Sequence, residues 1–368
     1  MVRLGIIGMG YIGTIHSQII MSGDTPEVKL TAVSDSSESR CDWAKENLPG
    51  VHVFKDAEEL LRSKTCDAVI IASPHYLHPE IAIKAFESGV HVLCEKPAGV
   101  YTKQVREMNE AAKKSGLVFA MMLSLRTNYI YRYMKDLVSS GELGAIKRVY
   151  WIATDWYRTQ YYYDSGTWRA TWKGEGGGAL LNQCSHNLDI LQWICGMPDK
   201  MHAFCHEGKW HDIEVEDDVT AYFEYPNGAT GFFVTSTGDA PGENRFVITL
   251  EKGTLICEKG TLTLHELSQN ERDFCKTAKE SMIKPECKTS IVESASLSTE
   301  NRDQYIRIIN SFAAAILHGT PLIANGEEGI NSLMLSNAMN LSSWLNKTIE
   351  IPFDEDLYLS ELNKRCES

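Results

Sequence analysis

The turn Gly8-Met9-Gly10-Tyr11-Ile12-Gly13 constrains this chain more than any other segment. It follows the apolar run Leu4–Ile7, opens a stretch of helical period, and is trailed by Asp35 at the end of the next apolar run. Three spaced glycines are a weak signal in a chain holding 27 of them; the strand–turn–helix context and the trailing acid give the motif its weight. Gly8 permits a tight turn, Gly10 lets a ligand approach the backbone, and Gly13 lets helix and strand pack closely. The free N–H groups and dipole at a helix start, here around Tyr11 and Ile12, favour anionic phosphates. Asp35, with Ser36 and Arg40 beside it, is placed to meet an adenine ribose. A carboxylate accepting from both ribose hydroxyls predicts NAD as the cofactor, preferred over NADP.

Five apolar runs (Leu4–Ile7, Lys29–Val33, Ala68–Ala72, His91–Cys94 and Val118–Met122) alternate with segments of helical spacing that begin near Gly10, Ser39, His78 and Thr102. That alternation predicts a doubly wound parallel sheet with crossover helices, a Rossmann domain over residues 1–123. Ligands of such sheets bind beyond the carboxyl ends of the strands. Two loops leave there: Ser73-Pro74-His75-Tyr76-Leu77-His78 and Glu95-Lys96-Pro97. Ser73, Pro74, His75, His78, Glu95 and Lys96 are therefore candidates for the nicotinamide end. His75 and His78 have the spacing of a metal pair, but no third ligand stands nearby, so they read as loop histidines and no metal is expected.

At 368 residues the chain is long enough for two domains, and residues 124–368 read as a second, α/β one. A helix over Tyr129–Ser140 ends at Gly141, and a strand follows over Ile146–Ala153. Then comes a stretch dense in Trp, Tyr and Arg, from Trp156-Tyr157-Arg158 through Trp168-Arg169 to Trp172. After Gly176-Gly177-Gly178 one helix is expected from Ala179 to about Ile194. It places Asn182, His186 and Asp189 at i, i+4 and i+7, on one face. A lone helical histidine is more often a satisfied polar group; three functional polar residues on one stripe beside a glycine run suggest a site. Val219–Tyr225, Ala229–Thr235 and Arg245–Leu250 alternate as antiparallel strands do. Residues 266–300 read as a loop-rich excursion, and helical patterns return over Asp303–Leu317 and Glu327–Leu345.

The net charge of −13 argues against a nucleic-acid partner or an anionic membrane. Aromatics interleaved with arginines can stack on RNA, but in this acidic chain a sugar-binding wall fits better. The ten cysteines form no CxxC pair and read as thiols of a reducing compartment. No apolar stretch is long enough to span a bilayer and no leader precedes the first strand, so a cytoplasmic protein is expected.

These residues together resemble the glucose–fructose oxidoreductase / inositol dehydrogenase (Gfo/Idh/MocA) family. The likeness runs from the glycine turn through Glu95-Lys96-Pro97, Arg126, Gly141-Glu142-Leu143-Gly144, and the glycine run leading to Asn182 and His186. It ends on Gly326-Glu327-Glu328-Gly329 and Ile351-Pro352. The resemblance implies a C-terminal α/β domain with a largely antiparallel open sheet, a homo-oligomer, bound nicotinamide cofactor, and sugar, glycoside or cyclitol substrates. Lys96 matches the family's active-site lysine and His186 its catalytic histidine. Asn182 stands where the family pattern has an aspartate, which removes an ionisable group. The expected reaction is oxidation of a secondary ring hydroxyl, at C3 if the substrate is a glycoside. His186 would be the base and Lys96 would steady the reacting oxygen, while Asn182 orients. Arg126, Tyr157, Arg158, Trp168 and Arg169 are the candidates for the substrate wall. Two rivals belong to other classes: a redox-neutral NAD-dependent glycosidase and a non-catalytic NAD-binding regulator.

Overall fold

Six short strands make a parallel sheet, its central runs such as Ala68–Ile71 buried on both faces and offering no polar side to water. The computed structural model describes residues 1–166, 168–293 and 301–367. The six strands are β1 (Val2–Ile7), β2 (Val28–Ser34), β3 (His52–Phe54), β4 (Ala68–Ile71), β5 (His91–Cys94) and β6 (Phe119–Met121). Their order β3-β2-β1-β4-β5-β6 reverses beside β1, the switch point of a Rossmann sheet. The connecting helices end where sequence chemistry ends them. The Asp56 carboxylate accepts the Glu58 and Glu59 N–H groups at the start of Ala57–Arg62, and Gly116 (φ +67°) stops Thr102–Ser115.

The first compact unit comprises residues 1–127, 174–176 and the described part of 298–333. The chain passes between the two units more than once. Within this unit the helix Asn301–His318 is tied by an ion pair from Arg302 to Asp24, and His318 lies 2.7 Å from Glu27. The Met121 N–H donates to Ala324 O at 3.2 Å.

The second unit is built on nine strands: β7 (Ile146–Ala153), β8 (Lys200–Glu207), β9 (Glu216–Glu224), β10 (Thr230–Ser236), β11 (Asn244–Leu250), β12 (Gly253–Glu258), β13 (Thr261–Leu267), β14 (Cys287–Glu293) and β15 (Ile349–Glu350). Their order is β14-β13-β12-β11-β7-β10-β9-β8-β15, antiparallel at every junction but β7–β10. Burial alternates along β12 and most of β9, as a sheet with one buried face requires. At its centre the Trp151 indole stacks on Phe246 (4.3 Å) and donates to Asn244 Oδ1.

The stretch 266–300 is not the loop-rich excursion its polarity suggests. It holds the end of β13, the helix Glu271–Thr277 and β14, which pairs with β13 from Thr261↔Glu293 to Leu267↔Cys287. As an edge strand β14 is almost wholly exposed, so nothing in its composition alternates. Residues 294–300 of that stretch lie outside the described residues. Among the described residues, no helix is long and apolar enough to cross a membrane.

Candidate active site

The three glycines of the first turn divide their tasks as their surroundings dictate. Gly8 has φ +95°, and a Cβ there would lie 2.5 Å from Ala72 O. A Cβ on Gly13 would lie 1.9 Å from Gly8 O. Both are required by the fold. Gly10 is different: a Cβ there would meet nothing within 4 Å, so the protein's own packing does not demand a glycine. The open space lies at the start of the helix Tyr11–Met21, where free N–H groups suit a pyrophosphate. Tyr11 is 83% exposed, and Ile12 is half-buried.

Asp35 closes this turn from β2. Its Oδ2 accepts the Met9 N–H at 2.7 Å and its Oδ1 the Ser37 N–H at 2.8 Å, leaving lone pairs for ribose hydroxyls. Ser36 beside it is exposed. Arg40 does not stand free next to Asp35. Its guanidinium donates to Met9 O and the Thr14 hydroxyl, and lies over the Trp43 ring. The donors and the carboxylate fit a dinucleotide with an unphosphorylated ribose.

Beyond β4 and β5 the two loops are joined by His78. Its Nε2 lies 2.7 Å from Ser73 O and its Nδ1 2.8 Å from Pro97 O. Burial holds the imidazole pKa down, against the pull of those carbonyls. His75 Nδ1 lies 3.1 Å from Glu175 O. Among the described residues no cluster of three or more His, Cys, Asp or Glu side chains could hold a metal.

The Glu95 carboxylate is buried, with Oε1 2.7 Å from His16 Nε2 and Oε2 accepting the Lys96 N–H at 3.1 Å. Lys96 itself is half-buried. His16 has no exposed surface and meets the Tyr305 ring edge-on at 5.2 Å. Burial, then the charge of Glu95, pushes the Tyr305 hydroxyl up to about 12. Sequence reasoning missed His16. The available signal was a polar residue three positions past Gly13, on the buried face of the helix. Arg126, a substrate candidate by resemblance, is buried and paired with the Glu328 carboxylate inside the same unit.

In the second unit the single helix expected from Ala179 is two elements. Ala179–Gln183 forms a π-turn, closed by the Cys184 N–H to Ala179 O at 2.8 Å, and Ser185–Cys195 forms the α-helix. Beneath its start, Glu216 Oε1 accepts the otherwise free N–H groups of Gly178 and Leu180, both at 3.0 Å. Burial pushes the Glu216 carboxyl up to about 8. The added residue falls before Ser185, so it shifts Asn182 relative to His186, while His186 and Asp189 stay three residues apart on the regular helix. Asn182 and His186 are half-exposed, whereas Asp189 is buried and accepts from Gln192. A π-turn next to a candidate catalytic histidine is a common feature of functional sites.

The aromatic and arginine stretch converges on Tyr162, which the sequence had not singled out. The Arg158 guanidinium lies 5.1 Å from the Tyr162 ring centroid and that of Arg169 4.7 Å. Arg169 donates to the Tyr162 hydroxyl at 2.9 Å and also lies over Trp168. Gln183 of the π-turn donates to the same hydroxyl at 3.3 Å, so the wall is joined to the segment carrying Asn182. Tyr157 is exposed, and its carbonyl accepts from Arg158.

Comparison with known proteins bears on these two half-sites. Residues 2–123 match the oxidoreductase family with an NAD-binding Rossmann fold, and residues 131–256 match the GFO/IDH/MocA C-terminal domain. The myo-inositol 2-dehydrogenase of Thermotoga maritima is 24% identical over 95% of this chain and 98% of its own. The D-glucoside 3-dehydrogenase of Escherichia coli is 29% identical over 64% of this chain and 70% of its own. Among solved structures, the WlbA dehydrogenase of Chromobacterium violaceum, in complex with NADH and UDP-GlcNAcA, superposes with a TM-score of 0.80. It is 25% identical, covering 96% of each chain.

Proposed function

The chain belongs to the Gfo/Idh/MocA family of NAD-binding oxidoreductases, and from that premise we propose that it oxidises a secondary ring hydroxyl of a sugar, glycoside or cyclitol. Bound NAD supplies the ring that accepts the hydride. The chain's own residues do the rest. His186, half-exposed and just past the π-turn, takes the hydroxyl proton; an imidazole is suited to this near neutral pH. The Lys96 ammonium donates to the reacting oxygen and stabilises the charge that develops there. Asn182 offers an amide to orient the hydroxyl, and cannot itself take a proton.

What supports this reading is that one chain holds an NAD turn left open at Gly10 and, in its two units, Lys96 and His186, which match the family's lysine and histidine. That set disfavours a regulator with no chemistry. Curated relatives that include an inositol 2-dehydrogenase and a glucoside 3-dehydrogenase support a cyclic polyol substrate, and a glycoside oxidised at C3 is the preferred case. Ten free cysteines support a reducing compartment, and we place the protein in the cytoplasm, as a homo-oligomer. The test is the initial rate of NAD reduction in Lys96→Ala and His186→Ala. Each is expected to fall about a hundredfold or more with folding intact. Near-native rates in both would overturn the assignment.

A further inference from the structure

We propose that the substrate carries an oxyanion, a carboxylate or phosphate, and that Arg158 and Arg169 bind it. The proposal rests on the reading of this stretch as the sugar wall and adds the chemical class of the sugar. The two guanidinium groups share the Tyr162 ring, so their carbons are no more than about 10 Å apart. Both side chains are half-buried. Among the described residues neither has a carboxylate partner, although acidic residues outnumber basic ones by 49 to 36. The Arg158 Nε–H is buried and donates to nothing. A cation taken partly out of water without a counter-charge is costly, and the cost is recovered when an anion arrives.

The surroundings are built to hold Arg158 still. Its N–H donates to Thr237 O at 2.9 Å, and its carbonyl lies 3.0 Å from His211 Nε2. His211 is in turn fixed by Asp217, which accepts the N–H groups of Lys209, Trp210 and His211 and lies 2.9 Å from His211 Nδ1. On the other side, the Arg169–Tyr162–Gln183 chain of hydrogen bonds leads to the π-turn and Asn182. The Thr237 and His211 contacts anchor the Arg158 backbone, while the Tyr157 carbonyl and the Trp156 and Tyr162 rings place its guanidinium, a planar fork suited to recognise carboxylate or phosphate oxygens in pairs. In a chain of net charge −13, such local cations are also what lets an anionic sugar approach.

The experiment compares glucose, methyl glucoside, glucuronate and glucose 6-phosphate. Each is tested for equilibrium binding to the full chain with NAD present, and for NAD reduction. Glucuronate or glucose 6-phosphate should bind at least tenfold more tightly than the neutral sugars, with an advantage that shrinks as salt rises. Which of the two wins tells carboxylate from phosphate. Arg158→Gln and Arg169→Gln should each raise Kd and KM for the anionic sugar about tenfold, moving kcat less. Arg158→Lys, which keeps charge and loses the fork, should recover part of that. Selective binding of the anion without NADH formation would sink the oxidation reading and leave this one standing. Equal binding of neutral and anionic sugars would overturn it, as would variants that weaken both alike.

Discussion

His16 Nε2 lies 2.7 Å from Glu95 Oε1, a contact between two buried groups 79 residues apart. The other carboxylate oxygen holds the Lys96 N–H, so the pair sets where the lysine's backbone begins. Partners of this kind act through the residue they orient. His16→Ala is expected to lower kcat ten- to a hundredfold while the NAD dissociation constant changes less, and to shift the pH–rate profile. Glu95→Gln, which keeps the shape and loses the charge, should fall between. A native kcat and an unmoved profile in His16→Ala would show that the pair only packs.

Gly10 and Gly13 separate binding from folding. A Cβ on Gly10 meets no protein atom, so Gly10→Ala should leave Tm nearly unchanged and weaken NAD binding by tenfold or more. Gly13→Ala drives a Cβ against Gly8 O and should lower Tm sharply. Thermal melts with and without NAD read both. Undiminished NAD affinity in Gly10→Ala would contradict the placing of the pyrophosphate.

Asp35 and Arg40 are expected to bias the choice between cofactors. The Arg40 guanidinium is engaged by the neutral Met9 O and Thr14 hydroxyl, so it keeps its charge and offsets only part of the repulsion between Asp35 and a 2′-phosphate. kcat/KM with NAD should exceed that with NADP by at least tenfold, and Asp35→Ser should narrow the gap. Equal efficiency in the native protein would defeat this.

Glu216 makes stability depend on pH in a defined direction. Its folded pKa, about 8, stands above the ordinary 4.5 because of burial. Between those values the folded chain keeps a proton that the unfolded chain has lost, so this group's contribution is full below about 4.5 and lost as pH rises through about 8. Tm should fall by a few degrees across that window, and Glu216→Gln should flatten the fall. Parallel curves for the two proteins would contradict it.

Much of this was legible in the sequence because it is local. The helix Tyr129–Ser140 has its boundaries written in Asn128, whose side chain caps it, and in Gly141 at φ +72°. β5 and β7 read directly from their apolar runs. What stayed hidden depends on partners far along the chain. β3 is one exposed and two half-exposed residues that become a strand by pairing with Ala32–Ser34. The π-turn has an ordinary helical composition, and the Glu216 side chain that takes its first N–H groups comes from β9, far along the chain. His16 and Tyr162 gain their roles from Glu95, Arg158 and Arg169, which no periodicity links to them.

The central claim is that this chain removes a hydride from a ring carbon bearing a hydroxyl, and the proton from that hydroxyl, and leaves the product a ketone. The most direct measurement incubates the protein and NAD with nitrophenyl glycosides, free hexoses and uronates, and inositols, following NADH and released aglycone together. The account predicts NADH formed in proportion to substrate consumed, with no aglycone released ahead of it, and loss of the signal in His186→Ala. Aglycone released at constant NADH would make the protein a redox-neutral glycosidase, and binding with no turnover of any substrate would make it a sensor.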